Sequence, residues 1–103
     1  MREITVTELK SILGEVPLVD VREPEEYVAG HVPGAKLIPL ATVPLHVSEL
    51  DKNQTQYIIC KSGARSAQAA QYLIAQGFDA VNVAGGTMAW IELGESVNFG
   101  DQA

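Results

Sequence analysis

The chain has 103 residues with 7 basic and 13 acidic side chains, a formal charge of −6. That balance argues against a broad basic face of the kind that binds nucleic acid by displacing counterions, while leaving room for a small basic pocket for an anion. No apolar run approaches the ~20 residues of a membrane span, and Met1–Lys10 lacks the apolar core of a secretory signal.

Nearly half the residues (47%) are hydrophobic, enough for one packed core and, at this length, too few for two. A single cysteine permits no internal disulfide and no thiolate metal cluster, so a reducing, cytoplasmic location is expected.

Five apolar, β-branched runs read as strands: Ile4–Val6, Val16–Val21, Leu37–Leu40, Tyr57–Cys60 and Ala80–Val83. The second and fourth are nearly continuous in apolar character, as in strands covered on both faces. Helical stretches separate them. Thr7 can cap a helix through Leu13, closed by Gly14. Pro24 suits the first position of a short helix through Ala29, with Glu25 and Glu26 at its positive end. Pro44 opens another, to about Leu50.

The clearest helix runs from Ala64 to Gln76, with Ala67, Ala70, Leu73 and Ile74 on one face and Gly77 at C′. A last helix follows Gly85-Gly86 and carries Met88, Trp90 and Ile91. Strands alternating with helices predict an α/β fold, a small, mostly parallel, doubly wound five-stranded sheet with helices on both faces. Residues 1–95 form the domain, and 96–103 are expected to be a loosely ordered tail.

The segment with chemical content is Tyr57-Ile-Ile-Cys60-Lys61-Ser62-Gly63-Ala64-Arg65-Ser66. Cys60 closes a buried strand, and a short polar loop leads directly into a helix. The crevice beyond the carboxyl ends of such strands is where open α/β sheets bind ligands. A loop wrapping into a helix start turns several N–H groups toward one point, a nest for an anion. Gly63 permits positive φ, and Lys61 and Arg65 add charge. All of this favours a thiolate over a thiol and suits a persulfide equally. A buried structural cysteine has no need of a basic, glycine-containing turn.

Several other residues read as structural. Asp20 and Arg22 form a loop-holding ion pair, and His31 stabilises a turn through a hydrogen bond. His46 is an ordinary helix residue. Trp90 and Met88 belong to core packing, although Trp90 has the option of lining the pocket. Gly85-Gly86 lacks dinucleotide spacing and permits a tight turn near the cysteine loop.

Three motifs together resemble the rhodanese family over nearly the whole length. They are Asp20-Val-Arg22-Glu23 with Glu26-Tyr27 and Gly30-His31-Val32-Pro33-Gly34-Ala35, then Cys60-Lys-Ser-Gly-Ala-Arg65-Ser66, then Gly85-Gly86 with Ala89-Trp90. The resemblance implies Cys60 as the sulfur-carrying nucleophile, with Lys61, Ser62, Gly63, Ala64, Arg65 and Ser66 as the substrate and persulfide cradle. It implies a six-residue loop, Cys60 to Arg65, where related phosphatases have one residue more.

Lys61 beside the nucleophile resembles the thiosulfate-using members. The implied partners are a small anionic donor such as thiosulfate and a thiol, protein or cyanide acceptor. No metal or organic cofactor is expected, and the chain is expected to be a monomer. Two alternatives are a non-catalytic binding or redox-sensing module and an arsenate reductase or phosphatase using the same thiolate.

Overall fold

The computed structural model describes all 103 residues. The strands are β1 (Arg2–Ile4), β2 (Leu18–Asp20), β3 (Lys36–Leu37), β4 (Gln56–Ile59) and β5 (Ala80–Val83). The helices are α1 (Val6–Ile12), α2 (Pro24–Val28), α3 (Val43–His46), α4 (Ala64–Ala75) and α5 (Gly86–Glu92). The sheet is parallel throughout, in the order β1-β5-β4-β2-β3, as the alternation of strands and helices predicts. No helix is long and apolar enough to cross a membrane.

Side chains of β4 alternate between two cores. Ile58 and Cys60 pack with Val19, Val21, Ala69, Ala70 and Leu73 on one face. Ile59 packs with Leu18, Tyr27, Val83 and Trp90 on the other. A strand buried on both faces therefore shows no polar alternation, and the runs around β2 and β4 read as nearly continuous in apolar character. Because α2 follows β2 toward one face and α4 follows β4 toward the other, their loops diverge above the sheet. A crevice opens at the carboxyl end of β4, where Cys60 sits.

Several boundaries differ from the sequence expectation. The first strand is Arg2–Ile4 and the helix cap is Thr5, not Thr7. Thr5 Oγ1 accepts from the Glu8 amide at 3.1 Å and Glu8 Oε1 accepts from the Thr5 amide at 2.9 Å, a reciprocal capping box. Val6, read as strand, enters the helix and is buried. The expected third strand keeps only Lys36–Leu37, because Pro39 has no amide to donate and the chain turns into a 3-10 segment over Leu40–Thr42. The helix expected from Pro44 to Leu50 is broken into α3 and a 3-10 turn over Val47–Glu49. On α4 the buried positions are Ser66, Ala69, Ala70 and Leu73, so the core stripe lies one step from the predicted face and Ile74 is exposed.

The segment 96–103 is tied back rather than loose. His31 and Asn98 form an antiparallel bridge, Gly100 N donates to Val28 O at 2.9 Å, and Trp90 Nε1 donates to Ser96 O at 2.9 Å. A buried indole N–H needs an acceptor, and only this returning segment brings one.

Candidate functional site

Cys60 follows β4 directly, and only 1% of its surface is exposed. The next residues bend sharply, Gly63 takes φ +114°, and α4 begins at Ala64. This left-handed glycine turns its own amide back toward the sulfur, and Gly63 N donates to Cys60 Sγ at 3.0 Å. Ser66 Oγ, one turn into the helix and buried, lies 3.2 Å from the same sulfur. Burial alone would push the Cys60 thiol up. The Ser66 hydroxyl and the amides of Ser66, Gly63 and Ser62 outweigh it and hold the thiol below its ordinary value.

The floor of the loop is held from behind by α5. Thr87 N and Thr87 Oγ1 both donate to Cys60 O, at 2.9 and 3.0 Å, and Met88 N donates to Lys61 O at 3.0 Å. Such close approach requires Gly86. A Cβ there would lie 2.5 Å from both Cys60 O and Lys61 O. The Gly85-Gly86 pair is thus the tight turn expected beside the cysteine loop.

The side chains expected to form the cradle divide. Gly63 and Ser66 reach the sulfur. Ser62 and Ala64 are exposed at the rim. Lys61 is exposed and lines a cavity of about 500 Å³ together with Arg22, Met88, Ile91 and Phe99. Arg65 does not turn to the sulfur: its Nη1 and Nη2 donate to Glu26 Oε1 and Oε2 at 2.7 and 2.9 Å. Helical geometry explains this. Arg65 is the second residue of α4, and its side chain leans toward α2 across the crevice. The Arg65 guanidinium pulls Glu26 down to about 2 despite partial burial, and Glu26 in turn raises Arg65. The guanidinium lines a second cavity of about 630 Å³ with Leu40, Val43, Gln68 and Tyr72, while Glu26 lines the first. The ion pair therefore stands between the two hollows.

Asp20 and Arg22 are buried against each other. Arg22 Nε and Nη2 donate to the carboxylate at 2.9–3.1 Å, and Nη2 also donates to Gly30 O at 2.9 Å. Their geometry holds the loop between β2 and β3, the structural role expected of them. His31 is fully buried, stacked on the Tyr27 ring at 3.6 Å, with Nδ1 on Tyr27 O at 2.8 Å and Nε2 facing Gln102 O. It too serves the turn and the tail. His46 pairs with Glu49 on the surface. Trp90 is in the core, whereas Met88, expected there with it, is exposed and lines the Lys61 cavity. Sequence reasoning missed two residues. Glu26 reads as a helix-start acid and as part of the first motif, with no partner indicated, and Asn82 as part of an apolar strand; both act through partners distant in sequence.

The sequence and the parallel sheet have counterparts among known proteins. The Rhodanese-like domain family matches residues 5–93. The chain belongs to this family. It is similar to a protein of Allochromatium vinosum named as a sulfurtransferase, with 43% identity over 81 residues, 78% of this chain and 76% of that one. Among solved structures, a rhodanese-like domain protein from Staphylococcus aureus is 49% identical, with TM-score 0.84 over 87% of this chain and 91% of that one. A rhodanese-related protein from Thermoplasma volcanium is 32% identical, with TM-score 0.89 over 94% of this chain and 97% of that one. As a rhodanese-like domain, the chain carries Cys60 at the head of its α4 loop.

Proposed function

We propose that this rhodanese-like domain is a sulfurtransferase that carries a sulfane sulfur on Cys60, with thiosulfate or a similar anion as donor. The observation that carries the reading is the nest around Sγ: Gly63 N donates to it at 3.0 Å, and Ser66 Oγ lies 3.2 Å away. An anionic sulfur is stabilised there before any substrate arrives.

In the first step the Cys60 thiolate attacks the outer sulfur of thiosulfate. An S–S bond forms, the donor's S–S bond breaks, and sulfite leaves with the electron pair. The Cys60 persulfide is then attacked at its outer sulfur by a nucleophilic acceptor. A thiolate becomes a persulfide, cyanide becomes thiocyanate, and the Cys60 thiolate is regenerated. Lys61, exposed and free of an ion pair, supplies the cation nearest the nucleophile in sequence. Arg65 becomes available to an anion only by exchange with Glu26. A lone thiol of this kind suits reducing surroundings, and a cytoplasmic site of action is part of this reading.

The test is intact mass after incubation with thiosulfate. A gain of one sulfur, absent in Cys60→Ser, supports the reading. A folded protein that gains none would overturn it and leave a rhodanese-like binding or redox-sensing module; the near-complete burial of Cys60 favours the binding form of that alternative.

A further inference from the structure

Asn82 lies on β5 on the same face of the sheet as Cys60, is buried, and belongs to no motif. Its amide is held on every side. Nδ2 donates to Glu3 Oε2 at 2.7 Å and to Gly63 O at 3.2 Å. Glu3 is its register partner on the adjacent strand β1. These two acceptors determine which way the amide faces. Turned over, Oδ1 would meet a carboxylate and a carbonyl oxygen with no proton between them. Oδ1 therefore faces Ser66 Oγ, at 2.5 Å.

Ser66 has one hydroxyl proton and two neighbours that want it, Asn82 Oδ1 at 2.5 Å and Cys60 Sγ at 3.2 Å. With Cys60 as a thiol the three groups are satisfied in a line. The S–H donates to Ser66 Oγ, and the Ser66 O–H donates to Asn82 Oδ1. With Cys60 as a thiolate the line is frustrated. Either Ser66 gives its proton to sulfur and confronts Asn82 with two oxygens at 2.5 Å, or it keeps Asn82 and turns a lone pair toward the anion. The amide cannot rotate away, because Glu3 and Gly63 hold it.

We propose that Asn82 is a positioning residue that claims the Ser66 proton and so opposes negative charge on Cys60 Sγ. It favours the states in which that atom is uncharged. One is the thiol; the other, on the functional reading above, is the inner sulfur of the persulfide, whose charge resides on the outer atom. The device involves only rotation of the Ser66 O–H, and the thiol proton itself leaves to solvent. Its consequence is a counterweight. The amide nest makes the thiolate accessible, and Asn82 keeps it from becoming so stable that it attacks poorly, since nucleophilicity falls with thiol pKa.

The charged groups on surrounding elements are Glu3 on β1, the Asp20–Arg22 pair after β2, Glu26 on α2, Lys61 and Arg65. All are retained in the test. The rate of Cys60 alkylation by iodoacetamide is measured against pH in the full chain, as wild type, Asn82→Leu, Ser66→Ala and the double variant. The shift in titration midpoint caused by Asn82→Leu is expected to lie half a unit or more lower when Ser66 is present than when it is replaced. The rate at full ionisation should fall about threefold for a shift near one unit. The Ser66→Ala background cancels what leucine does to burial and to the Gly63 contact.

Equal shifts in the two backgrounds, or a higher one with Ser66 present, would overturn the proposal. If Asn82→Leu does not fold, Asn82→Val gives the same comparison. Alkylation needs no sulfur donor. Failure to load sulfur from thiosulfate would therefore sink the functional reading and leave this titration to stand on its own.

Discussion

Replacing Gly86 by alanine tests whether the active loop is positioned by backbone contact with α5. The added Cβ would lie 2.5 Å from Cys60 O and Lys61 O and 2.6 Å from the Lys61 carbonyl carbon. These neighbours are backbone, so no side chain can swing aside, and the loop must retreat by about 0.9 Å to reach an ordinary 3.4 Å contact. Gly86 also has φ +60°, which costs alanine about 1 kcal/mol. Overpacking against a rigid wall adds about 1–3 kcal/mol, and strain on the Thr87 and Met88 hydrogen bonds adds roughly another 1.

The expected loss is therefore about 3–5 kcal/mol, a large part of the stability of a domain this size. Gly94→Ala is the control, because Gly94 has φ +87° and nothing within 4 Å of a Cβ. It carries only the conformational cost, about 1 kcal/mol. Urea denaturation reads both variants, and thermal midpoints should differ by on the order of 10–20 °C. The retained fold of Gly86→Ala should alkylate Cys60 more slowly, since a displacement near 1 Å can cost ~100-fold in a positioned site. If Gly86→Ala is no more destabilising than Gly94→Ala, the close approach is not what sets the loop.

Two further outcomes follow from the ion pair and the tail. Glu26→Gln removes the carboxylate that occupies Arg65, so KM for thiosulfate should fall severalfold in steady-state kinetics at low salt; a rise in KM would count against Glu26 as a competitor of the donor. Because the folded Glu26 is held near 2 against an ordinary 4.5, its contribution is complete above pH 4.5 and is lost as pH drops toward 2. With both partners partly exposed that contribution is about 1 kcal/mol, and Glu26→Gln should lack this acid-limb component in denaturation measured between pH 2 and 5. Truncation after Glu95 strips Trp90 Nε1 of its acceptor and removes the Asn98 bridge to His31. A loss of about 2 kcal/mol is expected, with a shifted Trp90 emission; unchanged stability would show that the tail contributes nothing to the core.

What the sequence determined by itself is what depends on neighbours along the chain. Continuous apolar runs separated by helical stretches specify a parallel sheet covered on both faces. Cys60 at a strand end, Gly63 three residues on and a helix from Ala64 specify an amide nest around one sulfur. Even the capping box was present as Thr5-x-x-Glu8, although Thr7 also met the simpler requirement for a cap. Position within the chain could not decide where Arg65 would point, because its partner Glu26 lies 39 residues away on another helix.

Only the tertiary structure brought Asn82 to Ser66 across 16 residues, and Glu3 to Asn82 across 79. Strand β5 inserts between β1 and β4, and that order is a property of the sheet rather than of any segment. The tail is the same case. Residues 96–103 carry little that would hold them locally, and they are ordered by a buried indole N–H and a buried histidine that require acceptors the rest of the chain does not supply.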